Sequence, residues 1–152
     1  MPEIKRIYIA CDHAALGMKN EIAQYVKEMG YEVSDEGTYT EESTDYPVYA
    51  KKVSEKVRDD ENSLGLLFCG TGIGMEIAAN KIRGIRATVL SDTYSAALSR
   101  KHNNANVACF GARVIGIETA KSVVKAFLTA EFEGGRHQRR VDMINAFDKA
   151  DD

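Results

Sequence analysis

Short apolar runs alternate with amphipathic segments along the whole chain. The runs over 4–11, 31–34, 64–69, 87–90 and 107–110 read as five strands. Between them, apolar residues recur at helical spacing: Met18, Ile22, Val26 and Met29, then Ala50, Val53 and Val57, and later Ile117, Ala120, Val124 and Phe127. Gly30 stands where a helix C-cap belongs, and Pro47 suits a first helical turn. Further helices are predicted over about 74–82 and 94–102. Gly134 and Gly135 break the chain before a last helix whose stripe is Val141, Ile144 and Phe147. The run over 64–69 is almost wholly apolar, as a central strand covered on both faces requires. Strands alternating with helices predict α/β architecture: a single Rossmann-like three-layer domain over 1–152, with a five-stranded parallel sheet and helices on both faces. No internal repeat, low-complexity stretch or linker divides it.

A chain of 152 residues fits one domain and buries enough surface to do without disulfide staples. Lys and Arg number 20 against 23 Asp and Glu, so a broad nucleic-acid-binding face is not expected and any bound anion must be met by a local basic cluster. Cys11, Cys69 and Cys109 make an odd count with no Cys-x-x-Cys pair. The apolar run at the start is too short for a signal-peptide core, and no run approaches a membrane span. These features lead us to expect a cytoplasmic protein with reduced thiols and no membrane partner.

In open α/β sheets, ligands bind beyond the carboxyl ends of the strands, where strand order reverses. Polar residues gather at those ends: Asp12 and His13 after the first strand, Gly70-Thr71-Gly72-Ile73-Gly74 after the third, Ser91-Asp92 after the fourth and Gly111-Ala112-Arg113 after the fifth. The glycine-rich loop is the most specific of these. Its glycines admit a sharp turn and a close backbone approach, and its amides open a helix, where negative charge is favoured. Met75 stands where a dinucleotide fingerprint beginning at Gly70 needs its third glycine. It also stands where a cysteine phosphatase needs its arginine, and no Gly-Lys-Ser/Thr follows to make a Walker loop. A tight strand-to-helix turn remains the plainer alternative.

Cys69 taken alone reads as a small buried hydrophobe, but its place between a strand end and a donor-rich loop suits a thiolate. Cys11 and Cys109 lack such a loop and are expected in the core. Adjacent Cys11, Asp12 and His13 make a poor metal set, and with no second ligand pair evident no metal is expected. Arg136 and Arg140 lie four apart at the start of the last helix, where like charges repel and oppose the helix dipole. A phosphate dianion between them would offset both costs, and Arg forks match phosphate oxygens. A solvated basic patch is the alternative, preferred for Arg139. Arg113 is a further candidate. His102, followed by Asn103, could cap its helix; beside a thiolate and a phosphate clamp, His102 and His13 become candidates for proton transfer.

Taken together, Cys11-Asp-His13, Thr44-Asp-Tyr-Pro47, Cys69-Gly-Thr-Gly-Ile-Gly74, Ile77-Ala-Ala-Asn-Lys81, Ser99-Arg-Lys-His-Asn103, Phe110-Gly-Ala-Arg113 and Gly134-Gly-Arg-His-Gln-Arg-Arg140 resemble the type B ribose-5-phosphate isomerases and the related galactose-6-phosphate and allose-6-phosphate isomerases. The resemblance covers nearly the whole chain. It implies aldose–ketose isomerisation of a sugar phosphate through a cis-enediolate, with no cofactor. It makes Cys69 the base and His102 the acid that helps open the sugar ring. It places Asp12, His13, Gly70, Thr71, Gly72, Ile73, Gly74 and Asn103 on the sugar, and Arg113, Arg136 and Arg140 on the phosphate, with Tyr46 lining the site. Some relatives use a glutamate immediately after the glycine loop. Here that position is Met75, and Glu76 is turned by about 100°. The resemblance also implies a homodimer or higher homo-oligomer, and the basic last helix would most easily reach a neighbouring chain's site, making it composite. The class-level alternative is a non-catalytic phosphate-binding module, which would not need both Cys69 and His102. Which sugar is bound stays open.

Overall fold

The computed structural model describes residues 2–149, so both ends of the predicted domain span fall outside the described residues. Five strands, β1 (Arg6–Cys11), β2 (Glu32–Asp35), β3 (Ser63–Cys69), β4 (Ala87–Val89) and β5 (Val107–Gly111), form one wholly parallel sheet in the order β2-β1-β3-β5-β4. The six α-helices among the described residues are α1 (Leu16–Glu28), α2 (Tyr46–Arg58), α3 (Ile73–Ala79), α4 (Thr93–Lys101), α5 (Ile117–Thr129) and α6 (Arg136–Ala146).

The apolar pattern explains this arrangement strand by strand. All seven residues of β3 are buried, and they alternate between two cores. Leu64, Leu66 and Phe68 pack with Ile22 and Val26 of α1, Ala96 of α4 and Val124 and Phe127 of α5. Leu67 and Cys69 pack on the other face with Ala50, Val53 and Val57 of α2 and Met75 and Ala79 of α3. Phe68 stacks on Phe110 of β5 with ring centroids 5.0 Å apart, tying the two central strands on the first face. Gly30 closes α1 as expected: its N–H donates to the Lys27 carbonyl, and that of Tyr31 to the Val26 carbonyl.

Two expectations are corrected. The third helix is seven residues long and stops at Ala79, because Asn80 leaves it to hydrogen-bond both the N–H and the carbonyl of Ala87, pinning the start of β4. The last helix does not bury its stripe. Val141 is buried, but Ile144 is exposed, and Phe147 lies in a terminal 3-10 turn at 70% exposure. This helix covers neither sheet face. Its far end is held by Asn145, which accepts from Arg86, and by Asp148, which accepts from the Gly84 N–H; both donors precede β4.

The strand order sets the site. From β1 the chain turns outward to β2, then crosses back over β1 to β3, so a crevice opens between the ends of β1 and β3. The loops after these two strands and after β5 converge there.

Candidate active site

Cys69 is the last residue of β3 and only 5% exposed, so it is reached through the loop that follows. Gly72 takes φ 81°, a left-handed conformation that suits glycine, and becomes the N-cap of α3. That turn folds the chain back so that the Gly72 N–H donates to the Cys69 sulfur at 3.1 Å. A backbone N–H against sulfur is the arrangement a thiolate base needs. The Ile73 N–H donates to Thr71 Oγ1 at 3.2 Å. Two of the loop amides are therefore committed internally, which narrows the expectation that the whole loop faces a ligand.

Neighbouring strands fix this loop. The Ala112 N–H donates to the Cys69 carbonyl and the Arg113 N–H to the Gly70 carbonyl. Thr71 passes so close to β5 that a Cβ on Gly111 would stand 2.6 Å from the Thr71 carbonyl oxygen. The Arg113 side chain folds back over Gly70, its Nη1 3.4 Å from where a Cβ there would lie, which brings a cation to the glycine loop. Tyr46 packs its ring directly on Gly74.

Asp12 and His13 follow β1 on the same edge of the sheet. Asp12 is buried and its Oδ1 caps a short 3-10 turn by accepting from the Ala14 N–H at 3.0 Å. His13 Nδ1 accepts from the Thr44 N–H at 3.1 Å. That bond fixes the tautomer of the neutral ring and leaves Nε2–H as the donor. Glu76 points away from the thiol, as its one-residue offset predicts: its Oε1 accepts from the Val89 N–H at 3.1 Å. Asp92 is likewise occupied, capping α4 through the Ser95 N–H. A cavity of about 250 Å³ lies beside the loop between Thr71, Val89, Ser91 and Val114. A larger groove of about 1180 Å³ opens at the opposite edge of the sheet, beside Arg86 and Arg100, far from the thiol.

The other predicted residues are not brought to this edge within one chain. His102 is the C-cap of α4, which runs back across the sheet, and residues 102–106 lead into the start of β5. Gly111, at the other end of β5, is the register partner of Cys69. The four steps of β5 at about 3.3 Å each put roughly 13 Å of strand between the two edges. Asn103 sits with His102. The α6 helix bearing Arg136 and Arg140 starts at this same edge, because His137 stacks on His102 with centroids 4.1 Å apart. Both arginines are exposed. Cys69, Asp12, His13, the 70–74 loop and Arg113 therefore gather at one edge of the sheet, and His102, Asn103, Arg136 and Arg140 at the opposite edge.

Sequence reasoning missed Thr44 as the orienter of His13, and Glu133 and His137 as neighbours of His102. Each depends on a long-range backbone approach or a ring stack that no local spacing announces.

A doubly wound α/β sheet with a cysteine thiol at its switch point and arginines at both ends of its strands belongs to the class of folds that bind small ligands beyond the carboxyl ends of their strands. The model of the Ribose/Galactose Isomerase family matches residues 7–144, and the chain belongs to that family. It is 51% identical to ribose-5-phosphate isomerase B of Escherichia coli (strain K12), over 96% of this chain and 98% of that one. Its fold superposes on the ribose-5-phosphate isomerase B of Clostridium thermocellum with a TM-score of 0.94, at 46% identity, covering 97% of this chain and 99% of the other. The Mycoplasma genitalium enzyme of the same name, solved with bound ribulose-5-phosphate, matches with a TM-score of 0.92 and 41% identity over 97% and 98% of the two chains.

Proposed function

We propose that this protein interconverts ribose 5-phosphate and ribulose 5-phosphate, with Cys69 as the base. The observation that carries this reading is the Cys69 sulfur held by the Gly72 N–H at the switch point of the sheet, in a chain of the isomerase family. The thiolate removes the proton from C2 of the open-chain aldose, giving a cis-enediolate. The same proton returns to C1 while a proton passes from O2 to O1, so no atom or electron is gained or lost. Donors of the 70–74 loop face the developing oxyanion; one well-placed donor of this kind contributes about 3–4 kcal/mol in a measured protease case. His102 donates a proton to the ring oxygen as the sugar opens. Asp12, His13 and Asn103 hold the hydroxyls, and Arg113, Arg136 and Arg140 hold the phosphate. That remote binding energy positions C1 and C2 against the sulfur.

These roles need the two half-sites together, and the fold holds them at opposite edges of each chain. The active site is thus composite in a homodimer or higher homo-oligomer, with Cys69, Asp12, His13 and Arg113 from one subunit and His102, Asn103, Arg136 and Arg140 from the next. The exposed Met143, Ile144 and Phe147 on and after α6 support this, since they offer an apolar surface beside the basic edge.

Comparing kcat/KM for ribose 5-phosphate, allose 6-phosphate and galactose 6-phosphate tests the substrate assignment. The pentose should be preferred, and a hexose phosphate turning over faster would overturn it. EDTA should leave the rate intact; loss with chelator and recovery with a divalent metal would contradict cofactor-free proton transfer.

A further inference from the structure

The proposed acid, His102, belongs to a cluster whose other two members, Glu133 and His137, the isomerase chemistry does not use. His102 Nε2 and His137 Nε2 each stand 3.7 Å from the same oxygen, Glu133 Oε1. The three ligand atoms lie within 4.8 Å of one another. The imidazoles come from different elements, the end of α4 and the first turn of α6, and are held face to face, within 9° of parallel. The Glu133 N–H donates to the Lys101 carbonyl, which fixes the carboxylate's backbone next to His102.

We propose that His102, Glu133 and His137 bind a divalent ion of the Zn²⁺ type, and that this ion inhibits the enzyme by occupying His102 Nε2. Two imidazoles and one carboxylate are a zinc donor set, with a fourth position open to water. Tetrahedral bonds of about 2.0–2.2 Å require N···O separations of about 3.3–3.5 Å, so the observed 3.7 Å closes onto an ion by a few tenths of an ångström once the rings turn about their Cβ–Cγ bonds out of the parallel stack and both in-plane nitrogen lone pairs meet it. Zinc takes imidazole in its neutral form. Glu133 supplies the negative charge. The inhibition half of the proposal rests on His102 acting as the ring-opening acid; the binding half does not.

Co²⁺ serves as a spectroscopic probe on the intact protein, with Zn²⁺ competing for it. The expected result is one ion per chain with a tetrahedral ligand-field spectrum and no thiolate charge-transfer band. Glu133→Gln and His137→Ala should each weaken binding at least tenfold. Zn²⁺ should inhibit the wild type in parallel with binding, and the Zn²⁺ concentration that halves the rate of Glu133→Gln, taken relative to that variant's own metal-free rate, should rise at least tenfold. Binding unchanged in both variants, or a thiolate band showing capture by cysteine, would overturn the site. Binding that follows the variants without inhibition would overturn the inhibitory half, and a metal-free His102→Ala enzyme of normal rate would trace that failure to the role of His102.

Discussion

The three cysteines separate by environment. Cys11 and Cys109 are fully buried in strands, and burial pushes the Cys11 thiol up to about 11 and the Cys109 thiol well above its ordinary value. Cys69 is also buried, but at 5% exposure it ends its strand and faces the glycine loop. Iodoacetamide should therefore place one carboxamidomethyl group per native chain, on Cys69, and substrate should slow it; labelling of Cys11 or Cys109 in the folded protein, read by peptide mass mapping, would contradict this. Cys69→Ala should lower kcat by several orders of magnitude with a modest change in KM, because a base acts on the chemical step. If that variant keeps near-normal kcat, the base lies elsewhere. At this scale the sequence was informative where chemistry and chain position coincide. The place of Cys69 at a strand end could be read because an apolar run ends on it and a glycine loop follows. The Glu76 offset could be read because a one-residue shift rotates a helical side chain away, and its bond to Val89 agrees. The partner of His13 could not be read, since 31 residues separate it from Thr44.

Among the elements, the glycine loop and β5 constrain each other through backbone contact. A methyl at Gly111 meets the Thr71 carbonyl at 2.6 Å and cannot be relieved by a rotamer change. Gly111→Ala should cost about 1–3 kcal/mol in chemical denaturation and lower kcat/KM at least tenfold by moving the loop; unchanged values would show that the contact yields easily. A second tie joins the end of β2 to α2. Glu36 is buried and accepts from Lys56 at 2.7 Å and Ser34 at 2.8 Å. Burial alone would raise its pKa, but the Lys56 and Ser34 bonds outweigh it and hold the carboxyl below its ordinary value. A depressed carboxyl stabilises the fold above its unfolded pKa, and that contribution is lost as pH falls through the folded value. Glu36→Gln should therefore be less stable than wild type at pH 7, by about 1–3 kcal/mol, with the gap closing in urea titrations below about pH 4. A gap that does not change with pH would rule out the ionised pair as its source. Strands and helices were legible from apolar periodicity because each buries a continuous face. The last helix was misjudged for the same reason: Ile144 and Phe147 mark an apolar face, but periodicity does not say whether the chain itself covers it.

For the whole molecule, strand order decides which loops meet. Five parallel strands and two helical layers were predictable from alternation alone, while the order β2-β1-β3-β5-β4 was not, because nothing local distinguishes a strand's neighbours. That order puts the ends of β1, β3 and β5 together and sends His102 and α6 to the far edge. Residues that the motifs gather into one site thus occupy two ends of each subunit. The direct test is to dissociate two inactive variants, Cys69→Ala and the double variant His102→Ala/Arg136→Ala, mix them equally and reassemble them. If each site takes its thiol from one chain and its histidine and arginines from another, every mixed dimer holds one intact site and one wholly defective one. With random pairing, activity should recover to roughly a quarter of wild type. A mixture that stays inactive, after mass spectrometry has shown mixed dimers present, would mean that both halves of the site come from a single chain and would contradict the composite site.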